Sequence, residues 1–397
     1  MRVRSYRTGG EWLSEKGAED EDQNLLAAGD DQQDDGPDKA RQDIDRVLSD
    51  ILRSHNLNVL SGLGTSLCVD GAPTMGNLWD AVKDSYEQVQ EGRPTWAEVL
   101  QIARHPEDNE DIEELLSRCK SAEAFETGDA KANIRRFVGD AEAIIRDRVD
   151  FLAADPLPTH EAFLRRLARR SVRRDRLKLF TTNYDRCFEH AAQRGGFVVI
   201  DGFSFSQPSV FDPMHFSYDI VRRGSEPDAP DYIENLFHLY KIHGSIDWQA
   251  DEVANRIQKF PKTKKPLLIY PRNTKYELAF AQPYLEMMSS FQASIRQRDV
   301  GLFVVGFGFN DNHIAEPILA AIETNLAMKA VVIAPGLEQQ AAQNAHLKKM
   351  VGLIDRGDTR LALVDATFED IVPILPDVTA MTDLERHVDR VRAVRES

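Results

Sequence analysis

The sequence predicts an α/β protein, a Rossmann-like doubly wound parallel sheet with a largely helical insertion. Three observations predict it. The β-like runs are almost wholly apolar rather than alternating, as a sheet covered on both faces requires. Helical stretches separate several of these runs. Four of them end in glycine, asparagine, histidine or aspartate, at the carboxyl strand ends where such folds bind ligands.

Taken in order, residues 17 to 46, "GAEDEDQNLLAAGDDQQDDGPDKARQDIDR", are acidic and carry few large apolar side chains, too few to offset the entropy of ordering. We read 1–38 as an acidic flexible N-terminal arm and 39–397 as the folded domain. From Lys39 onward, Ile44, Val47, Leu48, Ile51 and Leu52 recur at helical spacing, and "LNVL" (57 to 60) follows as a strand. Residues 77–158 read as a largely helical insertion beside the sheet, carried by Trp79, Val82, Trp96, Leu100, Leu115, Ile134, Phe137 and Ile145. Thr159 is suited to cap the next helix, with Phe163, Leu164 and Leu167 inward. The other face, "RRLARRSVRRDR", reads as a solvated basic surface or a contact for an acidic partner or a polyanion. Further strands are expected at "LKLFTTN" (177 to 183), "FVVID" (197 to 201), "LYKIHG" (239 to 244), "PLLIY" (266 to 270), "GLFVVGFG" (301 to 308), "AVVIAP" (330 to 335) and "RLALVD" (360 to 365). Helices are expected around Ile314 to Met328 and Glu338 to Met350.

Composition narrows the function classes. With 397 residues, 42% of them hydrophobic, the chain can bury a sizeable core, and its formal net charge of −16 disfavours a general nucleic-acid surface. No run approaches the roughly 18 apolar residues of a membrane span, and "MRVRSYRTGGEW" lacks the apolar stretch of a secretory signal, so a cytoplasmic location is expected. Cys68, Cys119 and Cys187 stand far apart and form no C-x-x-C pair, which points to reduced, mostly buried thiols rather than a disulfide framework or a zinc ribbon.

The four strand ends are "GLGTS" (62 to 66), "TTNYD" (181 to 185), "HGSIDW" (243 to 248) and "GFGFND" (306 to 311). Each has a plain structural reading: an ordinary turn, a side-chain-stabilised turn or helix cap, a hydrogen-bonded core histidine, and a site of close packing. In a parallel sheet all four face one crevice.

In this order, the motifs resemble the sirtuin NAD-binding fold over roughly residues 40 to 375. The chain departs from deacylase sirtuins in having Thr182 where they have glutamine and "GFGFND" where they have Gly-Thr-Ser. No cysteine lies between 245 and 305, where they carry two C-x-x-C pairs. It looks closer to the bacterial sirtuin-like proteins of antiphage defence.

The resemblance implies an NAD hydrolase that cleaves the nicotinamide–ribose bond, with NAD as substrate and no metal. Asn183 and His243 are then the catalytic pair. Asn183 orients ribose and water, and His243, a residue type with an ordinary pKa of about 6.5, acts as general base. The backbone N–H groups of Gly62, Gly64, Thr65 and Ser66 take the pyrophosphate. Thr182 is a further cofactor-binding residue, and Asp185 holds the carboxamide of nicotinamide. Gly306, Gly308, Asn310 and Asp311 belong to the adenosine ribose, where an acidic group suits a free 2′-OH and favours NAD over NADP. Ala366 and Thr367 stand where the family places its adenine-contacting loop, and Ala72 to Met75 where its flexible cofactor-binding loop lies.

The resemblance further implies an antiphage effector that depletes NAD under a partner's control, as a homo-oligomer paired with a HerA-like hexameric ATPase. The alternatives are a catalytically silent NAD- or ADP-ribose-binding scaffold, and a protein deacylase or ADP-ribosyltransferase.

Overall fold

The computed structural model describes residues 1–15, 36–88, 92–153, 155–171, 174–223, 231–251, 253–263, 265–269 and 282–376. Its strands are β1 (Arg2–Ser5), β2 (Leu13–Ser14), β3 (Asn56–Ser61), β4 (Lys178–Thr181), β5 (Val198–Ile200), β6 (Ser209–Val210), β7 (Val221–Arg222), β8 (Asp231–Tyr232), β9 (Leu236–Lys241), β10 (Gly244–Ser245), β11 (Trp248–Asp251), β12 (Arg256–Lys259), β13 (Leu267–Leu268), β14 (Val300–Val305), β15 (Met328–Ile333) and β16 (Leu361–Asp365).

Nine of them form one sheet in the order β2–β1–β16–β15–β14–β3–β4–β9–β5, and the run from β16 to β5 is parallel throughout. β3 is the topological switch: the chain moves from it to β4 on one side and returns to β14 on the other. The chain connections of β3 and β14 thus lead to opposite sides of the sheet, the switch-point arrangement at whose carboxyl edge such sheets bind ligands.

Both sheet faces are apolar, as the unbroken hydrophobic runs require. Leu60, Phe180, Val304 and Val332 pack into one layer, and Leu57, Val59, Phe303, Val331 and Val364 into the other. The helix Gly36–Leu52 covers the second layer with Ile44, Leu48 and Ile51. The helices Met75–Glu87, Trp96–Ala103, Ile112–Phe125 and Gly128–Val149 share a core of their own, which also takes in Tyr184 after β4, Ile246 after β10 and Leu268 of β13. The last of them ends at Val149; the helix Pro158–Leu167 belongs to the sheet's second layer through Phe163, Leu164 and Leu167.

Four expectations need correction. Residues 1–15, expected in the flexible arm, place β1 antiparallel against β16, with Val3 wholly buried and Arg2 and Arg4 paired to Asp365 and Asp355. The alternation of one core valine with two arginines is too short to register as a strand in the sequence. Residues 16–35 of that arm lie outside the described residues. "PLLIY" supplies only β13, paired with β10 outside the main sheet. Thr159 is not the cap of its helix, because Pro158 occupies the first turn and moves the start to Leu157.

The arginine-rich segment is the fourth correction, since part of it is internal wiring rather than a solvated face. Arg170 is buried and donates to the carbonyls of Leu52, Ser54 and His55 where the helix Gly36–Leu52 ends, and Arg166 donates to those of Pro373 and Leu375. A guanidinium with five donors can serve several orphan carbonyls at once. Arg170→Met is therefore expected to cost about 2–3 kcal/mol, read from the urea midpoint, because the buried carbonyls lose their donor.

His160 sits at zero exposure against Phe188 and Phe368, with no hydrogen-bond partner for either ring nitrogen among the described residues. Burial pushes its pKa down to about 4, against a smaller upward pull from Asp185. The unfolded chain then binds the extra proton from about pH 6.5 downward while the folded chain resists it until about pH 4, so stability falls on acidification through that window. His160→Phe is expected to flatten this loss, worth up to about 3 kcal/mol, in denaturant titrations at pH 7 and pH 4.5.

Candidate active site

The loops after β3, β4, β9 and β14 meet in one cleft of about 360 Å³, within the range of small-molecule sites. Gly64, Ser66, Thr182, Asn183, Asp185, His243, Gly306, Gly308, Asn310 and Asp311 all line it. Ten of the expected site residues are thus brought together by four separate strands.

The first and fourth loops touch backbone to backbone. A Cβ on Gly62 would stand 2.5 Å from the Gly306 carbonyl oxygen, one on Gly64 2.7 Å from the Gly306 Cα, and one on Gly306 2.7 Å from the Thr65 nitrogen. Gly306 also has φ of +65°, which a side chain disfavours. Close approach therefore requires these glycines.

It also redirects the expected phosphate donors. The N–H of Gly62 donates to Val305, that of Gly64 to Gly306, that of Thr65 to Gly62 and that of Ser66 to Leu63. The four amides expected to receive pyrophosphate are already bonded to carbonyls, so the reading of "GLGTS" as a backbone cradle is corrected to a loop-packing motif. Gly62 and Thr65 lie behind the cleft wall, and Gly64 and Ser66 on it.

Ser66 joins the first loop to the second. Its hydroxyl donates to Asp185 Oδ2 at 2.6 Å and accepts from the Asn183 amide at 2.8 Å. Asn183 Nδ2 also lies 3.0 Å from the Gly62 carbonyl oxygen and 3.2 Å from Thr65 Oγ1, so its two protons are shared among three acceptors. A carbonyl can only accept, so these contacts fix the orientation of the amide: the NH₂ faces the loop. Oδ1 has no hydrogen-bond partner among the described residues and is the polar atom Asn183 has left to offer. Asp185 also accepts from the Cys187 N–H at the start of the helix Cys187–Gly195. Both its oxygens are engaged, with lone pairs to spare.

Across the cleft, His243 Nε2 lies 3.1 Å from Asp311 Oδ2, and both side chains are nearly buried. Asp311 also caps the helix Asn312–Thr324 by accepting from the His313 N–H. Burial alone pushes the Asp311 carboxyl up, but the bond and charge of His243 and the His313 N–H outweigh it and hold it below the ordinary carboxylate range. An ionised Asp311 accepts the proton on Nε2 and leaves Nδ1 as the basic nitrogen. Asp311, expected at the adenosine ribose, has His243 as its partner instead, so it no longer carries a preference for NAD over NADP.

Ala366 and Thr367 do not join the cleft. Ala366 is packed in the sheet's second layer, and Thr367 caps the helix Phe368–Ile371 through a reciprocal bond with Asp370. The "VDAT" stretch is thus a helix start. Conversely, sequence reading missed the wall supplied by Leu78, Glu113 and Val149 of the insertion, beside Pro73 and Met75 of the expected cofactor-binding loop; the Tyr184 hydroxyl lies 2.9 Å from Glu113 Oε1 and 3.0 Å from the Ile269 carbonyl oxygen, two acceptors for its one proton. The tyrosine inside "TTNYD" was the available signal, as a polar aromatic at a strand end.

Burial disfavours the reactive thiolate form of all three cysteines. Cys119 and Cys187 are buried, and burial pushes Cys68, near the cleft loop, up to about 12. Among the described residues no group of three or more His, Cys, Asp or Glu side chains could hold a metal, and no helix is long and apolar enough to cross a membrane.

Residues 177–354 match a family model described as SIR2-like domain. That stretch contains the second, third and fourth motifs and excludes Gly62 to Ser66. Among solved structures, the chain is similar to the crystal structure of a Sir2 homolog–NAD complex, at 16% identity and a TM-score of 0.39, over 87% of this chain and 94% of that one. No match to a curated protein is found.

Proposed function

We propose that the chain is an NAD glycohydrolase that releases nicotinamide and ADP-ribose. The observation that carries this reading is the convergence of Asn183 and the His243–Asp311 pair in one cleft at the switch point of the sheet. The SIR2-like match over 177–354, together with the order of the motifs along the chain, supports the choice of substrate.

The chemistry follows from the residues. The C1′–N1 bond breaks with its electron pair going to nicotinamide, which neutralises the pyridinium. Positive charge develops on the ribose, and the carboxylates of Asp185 and Asp311 supply negative charge around it. His243 Nδ1 takes a proton from a ribose hydroxyl or from the water that bonds to C1′, while Asp311 holds Nε2–H and the ring orientation. Asn183 Oδ1 accepts from the same hydroxyl or water, and Ser66 keeps Asn183 and Asp185 in register.

The wall contributed by the insertion, and the absence of C-x-x-C pairs in the sequence, support water rather than an acyl-lysine as acceptor. Turnover of NAD by the purified chain, alone and with acylated peptide, tests this. Hydrolysis without peptide is expected; strict dependence on a peptide would show a deacylase or transferase instead. The role as an antiphage effector under a HerA-like partner is a second part of the proposal, supported by motif likeness. It is tested by co-purification and by NAD levels after infection.

A further inference from the structure

We propose that Lys241 is a positioning residue for the cleft: its buried ammonium grips the Tyr184–Asp185 turn from beneath and so sets where Asn183 and Asp185 stand. Lys241 is the last residue of β9, in register with Thr181 at the end of β4, and is 1% exposed. Its Nζ donates to the carbonyls of Asp185 and Tyr184 and, at 3.0 Å, to the Glu189 carboxylate. An ammonium has three N–H donors, and here each has an acceptor.

A charge at this depth is costly unless every donor is used, and an apolar side chain of similar volume would serve packing alone as well or better. Two of the three acceptors are backbone carbonyls of the turn that carries the second motif. The third lies on the helix Cys187–Gly195 that the turn leads into. Ser66 clasps the side chains of Asn183 and Asp185 from the cleft side, and Lys241 clasps the backbone from the sheet side. Lys241 does not line the cleft, so any effect on chemistry passes through that turn.

The kinetic part of the test rests on the NAD-hydrolysis reading; the exchange part does not. In the full chain, Lys241→Met would strand Glu189, so the pair Lys241→Met/Glu189→Gln removes both charges together, and Lys241→Arg is the conservative variant. The reporter is the Cys187 amide, whose N–H rests on Asp185 Oδ1. Its hydrogen exchange in the paired variant is expected to quicken by about tenfold or more, with Leu60 in β3 unchanged and the Arg variant closer to the parent. Nicotinamide release is expected to fall in kcat by about tenfold to a hundredfold, with ADP-ribose affinity within about twofold of the parent. Unchanged Cys187 exchange, Cys187 and Leu60 quickening together, or kcat and affinity falling in proportion would overturn the assignment. If the parent releases no nicotinamide, the hydrolase reading fails, and the exchange result alone decides the role of Lys241.

Discussion

Asn183→Ala and His243→Ala are each expected to lower nicotinamide release from NAD by about a hundredfold or more while leaving the chain folded, if the cleft hydrolyses NAD as proposed. For His243 the size follows from what a general base contributes, about 10²–10⁴ in rate, and for Asn183 from the loss of an orienting contact, about 10²-fold. The alternative cause, unfolding, is too small to compete. Asn183→Ala removes donors to Gly62, Thr65 and Ser66, a stability loss of about 1–3 kcal/mol. A domain with about 5–15 kcal/mol in hand stays almost wholly folded after that loss. Thermal melting and nicotinamide release measured on the same samples separate the two effects. Rates within about threefold of the parent in both variants would remove these residues from the chemistry.

Gly306→Ala has the largest expected effect on the fold, a loss of about 3–5 kcal/mol in the urea midpoint. Two costs add. The new methyl would meet the Thr65 nitrogen at 2.7 Å and the Gly64 backbone at 2.8 Å, and φ of +65° disfavours any L side chain. Neither neighbour is the end of a flexible side chain that could move away. Gly62→Ala clashes in the same interface, with the Gly306 carbonyl oxygen at 2.5 Å. If the glycines served only a bound phosphate, both variants would melt like the parent. Melting close to the parent would therefore overturn the loop-packing account of "GLGTS" and "GFGFND".

How much could be read in advance follows the physics of each signal. The central strands were legible because burial on both faces forces unbroken apolar runs, and the convergence of four strand ends followed from parallel order alone. β1 was not, because four residues with two arginines carry no such run. The residues of the site were legible as a set, but several partners were not. A glycine that lets two backbones touch looks the same in sequence as one that admits a phosphate. An aspartate that holds a histidine looks the same as one that holds a ribose. Which applies at Gly64 or Asp311 depends on the loop across the switch point, which lies more than two hundred residues away in one case and close to seventy in the other. Lys241 and Arg170 escaped for a related reason: the acceptors named for Arg170 and two of the three for Lys241 are backbone carbonyls, which every residue carries.

The central claim is that this cleft breaks the bond between nicotinamide and ribose with water as acceptor. Proton NMR of NAD incubated with the full chain, with and without lysate of infected cells, tests it most directly. Equal amounts of nicotinamide and ADP-ribose are expected, appearing in proportion to the protein added and absent with His243→Ala. NAD left intact under every condition, while it raises the melting temperature of the parent chain, would contradict the claim and show a binding scaffold.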